Sequence, residues 1–490
     1  EIVDHYDKLI RDSFKDFGIS FDNYSRTSLP IHHNTAKDFF NLLKSKNKFF
    51  EKESDQLFDI EESQFLADRF VTGTCPICNE KDAYGDQCES CGTSLSPEEL
   101  IDPKSTLSGS IPIKKRTNHW YIPLNDYEDF ITNWILVDHK NDWKPNVYGQ
   151  VKSWIDNGLK PRAVTRDLDW GIPVPIKDEN KKVLYVWFEA PIGYISSTKE
   201  WAENKNIDWE PYWKSEETKL VHFIGKDNIV FHCIIFPIML HCSGEYILPE
   251  NVPANEFLNL EGAKISTSKN WAIWLHEYLE EFPNKQDELR YALASNTPEN
   301  KDNDFTWKEY QSRNNNELVS IFGNFFNRIL VLTHKYYSGI VPVAMNLKDE
   351  DKAILNELQL YPSKLEASIE KYSFREFSTL IMNLARLGNK YLADQEPWKI
   401  MKDNPGRVKE IIFTAIQISA GLAILSEPLL PFTSVKMKKI LNLNSDWDHV
   451  TENSSIIESG HEINQPELLF EKIEDEKIMQ QLNKLKSEKK

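Results

Sequence analysis

Apolar residues at Ile2, Tyr6, Leu9, Ile10, Phe14 and Phe17 recur at the spacing of one helix face, and Gly18 follows where that face should end. The pattern predicts a helix over Glu1 to Phe17. No capping residue precedes it, so the chain is expected to continue upstream of Glu1. A second amphipathic helix is predicted near Thr35 to Ser45. From about Pro161 to Glu250 the pattern changes. Val183 to Phe188 and Lys219 to Ile224 are short apolar, β-branched and aromatic runs that end in turns and lead into helices. Such alternation predicts an α/β layer with a parallel sheet, whose ligands bind at the carboxyl ends of the strands. Beyond Phe305 long helical periodicities take over: Trp307 to Tyr337, Asp349 to Tyr372, Phe374 to Ala393, Pro405 to Glu427 and Pro431 to Leu441. On the first, Leu318, Ile321, Phe322, Phe325, Ile329 and Leu332 form one stripe. Short connections between such helices imply an antiparallel bundle. An acidic tail from Ser445 ends in a helical segment, Glu471 to Lys486, expected to pack back on the body.

At 490 residues the chain exceeds one hydrophobic core, so roughly two to four domains are expected. The most apolar stretch, around Ile229 to Leu240, is interrupted by His232 and Pro237, and no run of about 18 apolar residues occurs. No membrane span is expected. The opening EIVDHYDKLI has neither a basic n-region nor an apolar h-region, which points to a cytoplasmic setting. A formal net charge of -18 argues against a general nucleic-acid coat. A nucleic-acid partner would have to meet local basic surface, for which Lys114-Lys115-Arg116, Lys399 to Lys409 and Lys436 to Lys439 are candidates. Each is more often a solvated face.

Four of the six cysteines fall as Cys75-Pro-Ile-Cys78, nine residues, then Cys88-Glu-Ser-Cys91. Each CxxC pair can put two thiolates on one tetrahedral ion. Disulfides are unfavoured in a cytosolic chain, so Cys75, Cys78, Cys88 and Cys91 predict one structural Zn2+ with a closed coordination sphere. Cys233 and Cys242 read as ordinary buried thiols.

Three further segments carry candidate chemistry. Glu261-Gly-Ala-Lys264-Ile265-Ser266-Thr267-Ser268-Lys269 is a polar loop ahead of a predicted helix, Trp271 to Phe282. Its lysines can neutralise a triphosphate, while its hydroxyls and the donors at the helix start bond phosphate oxygens; a plain surface loop has the same composition. Tyr185-Val-Trp187-Phe-Glu-Ala190-Pro191-Ile-Gly-Tyr194 and Phe223-Ile-Gly225-Lys-Asp227-Asn228-Ile229-Val230-Phe231-His232 both stand at predicted strand-to-helix turns. Their aromatic residues suit a thioether, best held in an apolar aromatic box with few polar anchors, although core packing would use the same residue types.

Together these segments resemble the methionyl-tRNA synthetase family, over the whole chain. Lys264 to Ser268 looks like the KMSKS loop of class I aminoacyl-tRNA synthetases with threonine for its second lysine, a place Lys269 could fill. The resemblance implies ATP contacts at Gly225, Asp227, Lys264, Ser266, Thr267 and Ser268. It implies a methionine pocket of Trp187, Ala190, Pro191, Tyr194, Asn228, Phe231 and His232. Lys264, Thr267, Lys269 and Arg166, the last in Thr165-Arg-Asp-Leu-Asp-Trp-Gly171, would serve the chemistry. Asp22 to Thr27 also matches the family pattern. In the helical part Asn324 and Arg328, one turn apart, and Pro397 and Trp398 match residues that read the methionine anticodon, with the indole stacking on a base.

The implied fold class is α/β. A Rossmann-type parallel sheet, its N-terminal part missing, carries a zinc-binding insertion and is followed by an all-α anticodon-binding bundle. The expected domains are 1–55, the remainder of the first Rossmann half; 56–160, the insertion with its zinc knuckle; 161–250, the second half; 251–305, the KMSKS-loop region; 306–445, the anticodon-binding helices; and 446–490, the tail. ATP with Mg2+, L-methionine and tRNA(Met), including the initiator, are the expected partners, and a monomer is expected unless a dimerisation domain follows Lys490. Family members open with a HIGH-type loop. His32-His33 lies in no such context, so these residues alone are expected to be inactive.

Overall fold

Pro30 pre-sets the first turn of its helix, and Pro30–Ser45 therefore begins ahead of the apolar periodicity at Thr35. Its Ala36, Phe39, Phe40 and Leu43 are buried together with Phe188, Ile192, Ile195 and the apolar run Ile234 to Leu240. They form the core of one of two compact units, Phe21–Asn255; the other comprises Glu1–Ser20 and Glu256–Lys490. The computed structural model describes residues 1–85, 88, 95–177, 182–267, 269–452 and 455–487. Cys91 and Ser268 lie outside the described residues.

Within Phe21–Asn255, strand Ile224–Gly225 pairs in parallel with Ala254–Asn255, extended by a parallel bridge from Val221 to Asn251. The strand expected over Val183 to Phe188 is shorter. Only Val183–Leu184 is extended, paired antiparallel with Thr165–Arg166. The chain then enters a helical turn, Val186–Glu189, in which the N–H groups of Phe188 and Glu189 donate to the Tyr185 carbonyl. An unbroken apolar run does not by itself separate buried strand from buried helix. The α/β class stands with shorter strands than the pattern suggested. The insertion is antiparallel: Phe50–Asp59 pairs with Ile113–Ile122 from Phe50↔Tyr121 to Phe58↔Ile113. Beside this ladder a three-stranded sheet, Ala83–Tyr84, Val71–Thr74 and Ile101–Ser105, surrounds a small core of Leu57, Leu66, Val71, Cys75, Ala83, Cys88, Leu95 and Leu100.

In the other unit the predicted helices form nearly where the periodicity puts them. Trp307–Arg313 runs through a π-helical stretch, Asn314–Gly323, into Asn324–Tyr337. The predicted Asp349 to Tyr372 helix is two helices, Asp349–Gln359 and Tyr361–Glu370, broken at Leu360 ahead of Pro362. Phe374–Gln395, Pro405–Leu425 and Pro431–Leu441 complete the bundle. Pro405–Leu425 is apolar on nearly every face, and by length and composition it would cross a membrane. With 94% of its most apolar window buried it is the core helix of the bundle, a stretch more continuous than the Ile229 to Leu240 run favoured from sequence. The tail helix, Asp475–Ser487, buries Ile478 and Leu485 with Tyr278, Phe282, Trp307 and Tyr310. Lys484 holds it there through Glu277 and Glu281, each at 2.7 Å.

Candidate active site and RNA-reading surface

The two aromatic motifs of unit Phe21–Asn255 meet twice. Trp187 stacks on Phe231 with centroids 4.1 Å apart and planes 11° from parallel. Tyr194 Oη lies 2.8 Å from His232 Nε2. His232 Nδ1 is 3.0 Å from the Asn228 carbonyl, which can only accept, so Nδ1 carries the proton. Burial pushes the His232 imidazole down, the Asn228 carbonyl and Asp227 opposing it. A neutral ring then accepts at Nε2, and Tyr194 donates. Pro191 is the N-cap of helix Ile192–Lys205, and the Ala190 carbonyl accepts from Gly193 N, which sets the turn that presents Tyr194. Gly225 closes the parallel strand. A Cβ there would meet Asp227 Oδ1 at 2.7 Å, so the carboxylate folds over Gly225 and would have to swing aside for a larger residue.

Sequence reasoning missed three further groups, two of them, His32 and His222, buried. His32, fully buried, lies 2.6 Å from Glu189 Oε2 and 3.1 Å from Ser196 Oγ, tying helix Pro30–Ser45 to the turn that carries Trp187 and Tyr194. His222 packs its ring 4.8 Å from Tyr194 and 5.4 Å from His232. Asp167 receives Thr117 Oγ1 at 2.7 Å, Lys182 Nζ at 2.9 Å and His119 Nε2 at 3.1 Å. Burial alone would raise its pKa, yet these bonds together hold the carboxyl below the usual range. Next to it, the Arg166 guanidinium lies 3.7 Å above the Tyr185 ring. All three depend on partners 10 to 164 residues away, so no local spacing betrays them.

Lys264 to Lys269 belongs to the other unit and is built as a hairpin. Leu258–Leu260 and Ala263–Lys264 pair across Glu261-Gly262, both at positive φ. Gly262 N donates to the Asp304 carboxylate at 2.9 Å. Ser266 and Trp271 exchange both backbone bonds, closing a loop in which Lys264, Thr267 and Lys269 are exposed. The following helix begins at Leu275 rather than Trp271. The loop donors are therefore those of a hairpin, not of a helix start as the sequence suggested.

The thiols of Cys75, Cys78 and Cys88 lie within 4.8 Å of one another, and Cys78 and Cys88 are 3.5 Å apart. That exceeds a disulfide's ~2.05 Å and suits thiolates sharing one ion with bonds of about 2.3 Å. Cys233 and Cys242 are buried among apolar residues.

In the bundle, Arg328 and Trp398 meet across two elements: the guanidinium carbon stands 4.6 Å from the indole ring. Trp398 is 37% exposed and follows buried Pro397. Asn324, exposed on the same helix as Arg328, bonds Asn389 at 3.5 Å, and Asn389 donates to the Ile321 carbonyl at 2.8 Å.

Residues 1–330 match the family described as tRNA synthetases class I (M), and residues 341–490 match the anticodon binding domain of methionyl tRNA ligase. The chain is 61% identical to the methionine–tRNA ligase of Flavobacterium johnsoniae over 517 aligned residues, all of this chain and 73% of that protein. It is 63% identical to that of Christiangramia forsetii, over all of this chain and 72% of that one. The fold is shared with a Mycobacterium tuberculosis methionyl-tRNA synthetase solved in complex with methionyl-adenylate, at a TM-score of 0.76 and 20% identity, covering 94% of this chain and 85% of that one.

Proposed function

The chain belongs to the methionine–tRNA ligase family, and from that premise we propose how its parts share the reaction. The activity is ATP-dependent activation of methionine to methionyl adenylate, then transfer to the 3′-terminal ribose of tRNA(Met), elongator or initiator, in the cytoplasm. In the first step a methionine carboxylate oxygen attacks the α-phosphorus and pyrophosphate leaves. In the second the ribose hydroxyl attacks the activated carbonyl and AMP leaves. Neither step needs a covalent enzyme intermediate, so catalysis is positioning and charge stabilisation.

Trp187, Ala190, Pro191, Tyr194, Asn228, Phe231 and His232 form the thioether box. The observation that carries this assignment is the double meeting of the two motifs, Trp187 on Phe231 and Tyr194 on His232. Gly225 and Asp227 receive the ribose at the strand end. Lys264 and Lys269 neutralise the phosphates of ATP, which enters with Mg2+, and Ser266, Thr267 and Ser268 bond phosphate oxygens. Arg166 acts near the amino acid. Cys75, Cys78, Cys88 and Cys91 hold one Zn2+, which braces the insertion and has no open position for chemistry. Asn324, Arg328, Pro397 and Trp398 read the anticodon.

A pyrophosphate-exchange panel on enzyme that also carries the HIGH-type loop tests the substrate assignment. Methionine should outpace leucine, isoleucine and valine by at least about a hundredfold, the order available when one side chain fits a shaped pocket and others do not. Comparable exchange with any of the three would reject the box.

A further inference from the structure

The chain turns sharply just before Trp398. Helix Phe374–Gln395 ends, Glu396 takes a left-handed conformation at φ 39, and Pro397 starts a new short helix. A non-glycine residue in that region persists only where its surroundings fix it. They do so through a buried polar group. Gln395 Oε1 accepts from Arg407 Nη2 at 2.8 Å, and Gln395 Nε2 donates to Glu350 Oε2 at 3.2 Å. Arg407 is paired through both Nη atoms with Asp351, which has no exposed surface. Asp351 also accepts from Tyr391 Oη, one turn before Gln395, at 2.5 Å and from Lys348 N at 2.9 Å. The last turn before the corner is thereby bonded to helices Asp349–Gln359 and Pro405–Leu425. On the far side of the corner Lys399 bonds back to Glu396 at 2.7 Å.

We propose that Gln395 is a positioning residue for base recognition: anchored by the buried Arg407–Asp351 pair, it fixes the corner that aims the Trp398 indole. The inference rests on the reading of Trp398 as an anticodon platform. An exposed ring stacks on a base only if its plane stands where the base arrives, and a recognition group loses its selectivity when its support lets it wander by about an ångström. Gln395 touches no RNA in this scheme. Its loss loosens the corner, and Arg407 and Asp351 remain paired to each other.

The test measures binding of the 490-residue chain to a tRNA(Met) transcript and to the same transcript with its first anticodon base changed, at one fixed salt concentration. Wild type, Trp398→Ala, Gln395→Leu and Gln395→Glu are compared, with melting temperatures alongside. Gln395→Leu should lower the preference for the correct anticodon roughly tenfold with little change in melting temperature. Gln395→Glu keeps an oxygen toward Arg407 but sets its other oxygen against Glu350, and should restore the preference in part. Wild-type preference in Gln395→Leu overturns the proposal, as does an equal weakening toward both transcripts that follows the melting temperature. Wild-type preference in Trp398→Ala overturns the anticodon reading itself, and the positioning role with it.

Discussion

His222 is 5% exposed, enclosed by Tyr194, His232 and Phe236, and its Nε2 has no hydrogen-bond partner among the described residues. Burial, reinforced by His232, pushes its pKa down to about 3. An unfolded imidazole takes up its proton near pH 6.5. The folded chain refuses that proton, so the contribution to stability is complete above ~6.5 and drains away as pH falls from there toward the folded value. At pH 5 the loss from this one group amounts to about 2 kcal/mol. His222→Gln should therefore lose less stability than wild type between pH 7.5 and pH 5, by about that amount, in thermal unfolding at the two values. Equal losses would mean the ring is already charged or hydrated. Nothing in Val221-His222-Phe223 announces this environment. The apolar neighbours that enclose His222 come from two other helices, whereas the aromatic residues of the pocket were legible because Trp187 and Tyr194, and Phe231 and His232, stand close together in recognisable strings.

The bundle helices were legible because a period of 3.6 is written within each segment. Leu318, Phe322, Phe325 and Ile329 are fully buried on the predicted stripe. What periodicity does not carry is how closely two helices approach. A Cβ added to Gly388 in Phe374–Gln395 would lie 2.3 Å from Phe325 Cζ, so the aromatic ring packs directly against the glycine backbone. Gly388→Ala sets two effects against each other. Helix propensity favours alanine by about 1 kcal/mol, and overpacking of a filled core costs about 1–3 kcal/mol. Since Phe325 has no exposed surface to move into, the overlap should win, and the variant should melt several degrees below wild type. A higher melting temperature would show that the ring moves aside at little cost. The strands were less legible for the complementary reason. Val183–Leu184 and Ile224–Gly225 span two residues each, too few for a period of two to separate them from the helices that follow.

For the whole molecule, a net charge of -18 hides where RNA would bind. Among the basic runs, Lys114-Lys115-Arg116 lies in a strand facing acidic residues: Arg116 approaches Glu53 at 3.7 Å and Asp55 at 4.0 Å, and Lys115 covers the Phe58 ring at 4.0 Å. Lys436 and Lys438 bond Glu467 and Glu427 at 3.5 and 2.7 Å. Lys115, Arg116, Lys436 and Lys438 in these two runs thus have aromatic or acidic partners nearby. Arg328 and Trp398, 70 positions apart and visible in sequence only through the family resemblance, come together over 4.6 Å. The account's central claim is that methionine activation and anticodon reading are separate tasks of separate residues, and Trp398→Ala tests it most directly. Pyrophosphate exchange without tRNA and charging of tRNA(Met) should be measured on the same preparations of enzyme that also carries the HIGH-type loop, well below the melting temperature. Stacking of an indole on one base contributes about 1–3 kcal/mol, so charging efficiency should fall roughly tenfold to a hundredfold, while exchange stays at the wild-type rate. Equal losses in both assays would contradict the account.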